Sequence, residues 1–282
     1  MALPLEKLGT TYDEVTEVID PDRAKAYAAA TNDPNPKYAD GTFAPPVFGV
    51  VPTWAAMGLA VGEVVPGDAL MMVVHGEQDM HFHQPLVPGT KLTSRATAHS
   101  VRVGGSGTRY TIQVDSKDDS GVPVLTEYVT MFIRGMSDGE SGGPDKPTHE
   151  ADLTSATKVG SFTVHVDDDQ TYRYKEASGD NMPIHVDESL AKQVGLPGII
   201  AHGLCTMAMC SQAVVALAAD GDPGRVKRLA VRFASNVFPG NDVETTVYAL
   251  APDEAGNMTY AFEATSNGQS VIKNGLAEIS KA

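Results

Sequence analysis

Asp180 and His185 stand five residues apart in the stretch Ala177-Ser178-Gly179-Asp180-Asn181-Met182-Pro183-Ile184-His185. Glycine and proline punctuate it too tightly for regular structure, so it reads as a loop. A carboxylate and a neutral-pH base held close together can bind a water between them and move its protons. Downstream, Ala201-His202-Gly203-Leu204 opens a long apolar run. If that run is a helix, its first backbone N–H groups lack acceptors and can hold an oxygen on which charge develops. The combination points to addition or removal of water next to a carbonyl.

The elements that must position these groups are written twice. Thr31-Asn32-Asp33-Pro34-Asn35-Pro36-Lys37-Tyr38 parallels Ser178–His185 at an offset of 147 (180 − 33), and Gln84–Gly89 parallels Asn236–Gly240 at an offset of 151 (240 − 89). Two ordered matches at nearly equal offsets indicate an internal duplication. Each half reads as a short helix (21–31, then 168–178), the Asp loop, and a longer apolar helix (50–64, then 202–219). Alternating strands follow at 92–101, 109–116 and 124–133, then at 243–250, 259–265 and 270–279. Gly104-Gly105-Ser106-Gly107 falls between two strands and reads as a hairpin turn, because no helix follows to make a phosphate cradle. Residues 135–160 have the Gly, Ser, Pro and Asp content of a linker. The expected organisation is an N-terminal half at 1–134, the linker at 135–160 and a C-terminal half at 161–282. An apolar helix beside antiparallel strands must bury its stripe on the sheet face. The fold class is therefore α+β, two antiparallel sheets each wrapped around a central helix.

Composition narrows the partners. Of 282 residues 42% are hydrophobic, enough for a full core, and the net charge of −15 argues against nucleic-acid or anionic-membrane binding. The apolar run at 199–219 is broken by His202, Ser211 and Gln212 and reads as a buried helix rather than a membrane span. Cys205 and Cys210 point in different directions on one helix and are not expected to bond. The first fifteen residues lack a secretory layout, and Glu278-Ile279-Ser280-Lys281-Ala282 is not a peroxisomal Ser-Lys-Leu address. A reducing, cytoplasmic compartment is expected. His81 and His83 share a strand face, but no third ligand stands at metal-site spacing. Arg225, Lys227, Arg228 and Arg232 form the densest basic cluster, either meeting phosphates or guarding a strand edge. Met207 and Met209 read as core.

Ser178, Gly179, Asp180, Pro183 and His185, followed by His202-Gly203-Leu204, resemble the motif of the MaoC-like (R)-specific enoyl-CoA hydratases, also called hydratase 2. His75-Gly76-Glu77-Gln78 and Val231-Arg232-Phe233 resemble ligand-contacting stretches of the double-hotdog members. The resemblance implies a tandem hotdog that reversibly hydrates trans-2-enoyl-CoA to (3R)-3-hydroxyacyl-CoA in fatty-acyl metabolism. It implies that Asp180 and His185 bind and activate the water. The Gly203 N–H would point at the thioester oxygen, with His75, Gly76 and Phe233 along the acyl-CoA. No metal or redox cofactor is implied, coenzyme A being part of the substrate, and a homodimer is expected from exposed sheet edges.

The chain departs from the family pattern at three places. Met182 stands where the family has Asn, with Asn181 adjacent. The family's cationic ligand contact falls at Gly104, and Arg102 is the nearest base. In the first half Tyr38 replaces the histidine, and a phenol with a pKa near ~10 is a poor base. One working site per chain follows, with the first half left to accommodate the acyl group. A hotdog acyl-CoA thioesterase and a non-catalytic acyl-CoA-binding subunit are the competing readings. Acyl length, branching, and CoA or carrier-protein attachment stay open at this level.

Overall fold

The computed structural model describes residues 2–252 and 257–281; the outermost residues of the expected halves, Met1 and Ala282, lie outside them. The first half runs β1 (Val15–Val18), α1 (Pro21–Ala30), α2 (Pro36–Ala39) and α3 (Trp54–Val64). It continues with β2 (Val73–Phe82), β3 (Lys91–Gly104), β4 (Gly107–Lys117) and β5 (Pro123–Arg134). The second half repeats the plan as β6 (Thr157–His165), α4 (Gln170–Ser178), α5 (Glu188–Gln193) and α6 (Gly203–Ala218). Strands β7 (Val226–Phe233), β8 (Asp242–Ala249), β9 (Met258–Ser266) and β10 (Gln269–Ile279) complete it.

Local chemistry accounts for the element ends. Asp20 caps α1 by accepting the Arg23 N–H at 2.7 Å, with Pro21 in the first turn where its missing donor costs nothing. α4 stops at Gly179, whose φ of 79° is the left-handed conformation that favours glycine. The Gly104–Gly107 stretch is the expected hairpin between β3 and β4.

The strands form one antiparallel sheet in the order β1-β3-β4-β5-β2-β7-β10-β9-β8-β6. Each half supplies five strands, and the two expected sheets join where β2 pairs with β7, from Glu77 opposite Arg232 to His81 opposite Arg228. That pairing corrects one expectation, because β7 is a central strand and its basic residues guard no edge. Arg228 is instead buried, donating through Nε and Nη2 to Asp79 of β2 at 2.9 and 2.8 Å. The outer strands, the four-residue β1 and the nine-residue β6, are additional to the expected ones.

Each half wraps its strands around a helix. α3 buries Ala56, Met57, Ala60 and Val64 against Ala96, Ala98, Tyr110 and Ile112 of β3 and β4. α6 is buried on nearly every side, as a helix apolar all round must be, within a core that runs from Tyr27 and Phe48 to Val247 and Phe262.

α1 and α4 face each other as duplicates. Tyr27 and Tyr174, 147 positions apart, share a hydroxyl hydrogen bond of 3.0 Å. Arg23 Nε donates to the Ala177 carbonyl at 2.8 Å, and Gln170 returns the contact to the carbonyl of Ala30. Residue i meets the counterpart of j while j meets the counterpart of i, which is the signature of a twofold axis inside one chain.

The linker is shorter and better held than its composition suggests. Residues 157–160 belong to β6, where Thr157 pairs with Ala249 and Gly160 with Val247. The rest lies on the outer face of the sheet, with His149 buried and its Nδ1 donating to the Asn274 carbonyl at 2.7 Å.

Candidate active site

The α4 C-terminus, a tight loop and the α6 N-terminus converge. Asp180 accepts the Met182 N–H at 3.1 Å on Oδ1, and its own N–H donates to Ser178 Oγ at 3.1 Å. This Asx turn fixes the carboxylate, and Pro183 begins the single helical turn that carries His185 inward. His185 is 8% exposed, and its Nδ1 donates to the Ile200 carbonyl at 2.8 Å. A carbonyl can only accept, so Nδ1 carries the hydrogen and Nε2 is left with a free lone pair.

His202 caps α6 through its backbone and stacks on His185, with ring centroids 3.8 Å apart and planes 28° from parallel. Its Nε2 meets the Asp180 carbonyl at 3.3 Å, and its ring centroid lies 4.8 Å from that of Tyr174. Burial lowers the His202 pKa to about 3, with the neighbouring His185 adding to the effect against the Asp180 carbonyl. Burial also lowers the His185 pKa, opposed by its bond to Ile200 and by the Asp180 charge. Both imidazoles are neutral at neutral pH.

Asp180, His185 and His202 bring one donor atom each within 4.8 Å of one another, and they are the one such group among the described residues. These three are the residues that could hold a metal ion. Two rings stacked nearly parallel send their in-plane lone pairs side by side rather than toward a common point. The arrangement therefore suits proton transfer better than chelation.

Gly203, the first residue of α6, has an N–H without an intrahelical acceptor. A Cβ there would lie 3.3 Å from the Phe233 ring, so glycine is what lets the helix start approach β7. Phe233 in turn meets His75 edge to face at 5.0 Å. Gly76 sits at a bulge in β2, where a Cβ would lie 3.2 Å from the Thr130 carbonyl. The structure thus brings Asp180, His185, Gly203, Phe233, His75 and Gly76 into one neighbourhood.

Three candidates stand apart from the Asp–His pair. The Asn181 side chain donates to the Gly179 carbonyl at 3.0 Å and is spent on the turn. Met182 is exposed and enters the site only through its backbone N–H. Arg102 lies on the outer face with Arg109, Lys146 and Arg232, around a recess of about 460 Å³ that excludes Asp180 and His185. Its guanidinium donates to the carbonyls of Gly142 at 2.7 Å and Pro144 at 2.9 Å and to Asp145 at 2.6 Å. Those bonds hold it on the linker, away from the Asp–His pair. His202 is the participant to which the sequence, though it places the residue in the motif and at the helix start, assigns no role of its own. Its place in the His202-Gly203-Leu204 motif was the available signal.

A cleft of about 270 Å³ borders the loop at Ser178 and Gly179 and is walled by Arg23, Val51, Pro52 and Trp54. In the first half, Tyr38 is fully buried where the histidine would stand. Burial raises the Asp33 carboxyl to about 6 against its bond from Asn35.

Known proteins share this architecture. The "MaoC like domain" family matches residues 151–268 and the "MFE-2 hydratase 2 N-terminal domain" family matches residues 37–135. A probable enoyl-CoA hydratase 2 of Dictyostelium discoideum is 27% identical over 248 residues, covering 86% of this chain and 82% of that one. The crystal structure of a MaoC-like dehydratase from Phytophthora capsici superposes with a TM-score of 0.84 at 23% identity, covering 99% of this chain and 98% of that one. A Mycobacterium tuberculosis protein described as having a double hotdog fold superposes with a TM-score of 0.60 at 14% identity, with 96% of each chain covered. With one family on each half of a duplicated sheet, the chain belongs to the MaoC-like hydratase 2 family of double-hotdog proteins.

Proposed function

We propose that this chain is a hydro-lyase that reversibly hydrates trans-2-enoyl thioesters to (3R)-3-hydroxyacyl thioesters in fatty-acyl metabolism. The observation that carries the reading is the convergence of the Asp180 carboxylate with His185, whose Nε2 lone pair is free because Nδ1 is bound to Ile200. The thioester enters along the cleft beside Ser178 and Gly179. Asp180 orients a water, and His185 Nε2 accepts its proton as the oxygen attacks C3. The proton is returned to C2 on the same face, so one water is added and nothing is left over. Charge gathers meanwhile on the thioester oxygen, where a donor such as the Gly203 N–H contributes about 2.7–4 kcal/mol. The thioester itself acidifies C2, and the reaction proceeds without a cofactor.

The substrate is an acyl-CoA, and the protein works as a cytoplasmic homodimer. Two buried free thiols, Cys205 and Cys210, support a reducing compartment, and the outer strands β1 and β6 leave edges on which a second copy can pair. No helix among the described residues is long and apolar enough to cross a membrane.

The test is hydration of crotonyl-CoA, followed by loss of enoyl absorbance, in Asp180→Ala and His185→Ala. Each should lose at least about 10²–10⁴ in kcat/KM while keeping the native circular dichroism spectrum. Retained turnover in either variant removes the reading.

A further inference from the structure

One cluster of buried polar groups lies beyond the groups that handle the water. Trp54 and Thr53 at the α3 N-terminus, His75 and Gln78 of β2, and Glu127 of β5 line a small cavity of about 10 Å³, which Leu204 also borders. Gln78 and Glu127 are 0% and 1% exposed. Gln78 Nε2 donates to Glu127 Oε1 at 3.0 Å, and Thr53 Oγ1 donates to the Val50 carbonyl at 3.0 Å. Four buried atoms around this space have no partner: Trp54 Nε1, His75 Nε2, Gln78 Oε1 and Glu127 Oε2. Buried polar groups are nearly always paired, so four in one place point to an absent partner.

The duplicated half shows that the fold does not require them. At the offset of 151 that relates Gly89 to Gly240, the counterparts of Thr53, Trp54 and Gln78 are Leu204, Cys205 and Leu229, all buried and apolar. The cavity also adjoins the reacting centre. Leu204 follows Gly203, and His75 touches Phe233, which packs on Gly203.

We propose that this cavity receives the distal end of the acyl group, and that the substrate is an enoyl thioester whose tail carries an uncharged oxygen, a hydroxyl or a carbonyl, rather than a plain hydrocarbon. The assignment rests on the hydration reading above and deepens it. Trp54 offers a donor and Gln78 an acceptor, which together match a hydroxyl. No Lys or Arg lines the space, so a carboxylate tail lacks a counter-ion. Burial raises the Glu127 carboxyl to about 8, opposed by the neighbouring Thr53 hydroxyl and the bond from Gln78, so at neutral pH it is an acid that can donate. A cationic tail would have to ionise it in a site that disfavours charge. The space has room for about one oxygen atom, which the tail oxygen would fill as Trp54 and Met57 move aside.

The test compares matched trans-2-enoyl-CoA pairs of four to eight carbons, with and without a terminal hydroxyl, by kcat/KM. At the best-fitting length the hydroxylated member should lead by about tenfold or more. Gln78→Leu, which installs the residue of the second half, should reverse the preference, while Glu127→Gln, which keeps hydrogen bonding, should retain it. Hydration with the plain chain equal or favoured at every length overturns this inference alone. No hydration of any member overturns the hydration reading and this one with it.

Discussion

His185 works as a base only while its Nε2 lone pair is free, and burial sets the pH at which that lone pair is lost. Desolvation lowers its pKa from 6.5, and the bond to Ile200 and the Asp180 charge oppose without cancelling it. His202, held near 3, stays neutral throughout the range and adds no positive charge beside it. The sign follows directly: activity needs the neutral imidazole, so it persists below the ordinary histidine value and fails only in more acid solution. The kcat/KM profile for crotonyl-CoA should be flat from pH 8 to below 6.5 before it falls. An acid limb at or above 6.5 would contradict the burial argument. His202→Asn, which uncovers the ring face of His185, should move the limb upward toward 6.5. The same depression has a cost in stability: below pH 6.5 the unfolded chain takes up a proton on His202 that the folded chain refuses until about 3, so stability falls with pH across that window.

At the scale of elements, the start of α6 is the part most exposed to small displacements. Gly203 lies so close to Phe233 that an added Cβ, at 3.3 Å from two ring atoms, must push the ring or the helix by a few tenths of an ångström. Gly203→Ala should therefore cut kcat by about tenfold to a hundredfold with little loss of thermal stability, since alanine suits a helix and misplacement of a donor costs rate. Gly203→Ala with Phe233→Leu, which clears the clash, should recover most of it. Full activity in the single variant would show that the helix start does not hold the developing charge. Elements of this kind were largely legible in the residues. The 147-residue offset, the alternation of 92–101 and the apolar run of α6 each reflect a local periodicity that tertiary packing did not override. Others were not. The surroundings of Arg102 were not legible, because only the pairing of β3 and the path of the linker decide which face of the sheet it occupies. β1 escapes notice because its four residues are mostly exposed and carry no burial pattern. The polar cavity arises where α3, β2 and β5 meet, and no single stretch of sequence contains it.

At the scale of the molecule, two halves become one sheet because β2 and β7 pair, and one ion pair sits across that seam. Asp79 takes two hydrogen bonds from Arg228 and lies 3.1 Å from His81 Nε2. Burial pushes its carboxyl up, but the bonds and charges of His81 and Arg228 outweigh it and hold the pKa at about 2. Its contribution is therefore present above the unfolded value of 3.8 and is lost only as the pH falls toward 2. Removing one partner strands the other charge in a desolvated place. Asp79→Asn should cost about 3–5 kcal/mol in urea unfolding at neutral pH. The double variant Asp79→Leu with Arg228→Met should regain much of that, because it removes both charges and fills the space with apolar groups. Because Arg228 also donates to the Thr148 carbonyl at 2.8 Å, the linker loses an anchor in that variant and recovery should stop short of complete. Both variants should unfold in one transition, since a ten-stranded sheet cannot release one half without exposing the edge of the other. A cost under about 1 kcal/mol for Asp79→Asn, or a double variant no better than the single one, would mean that β2 and β7 are held by their backbone ladder and apolar faces alone.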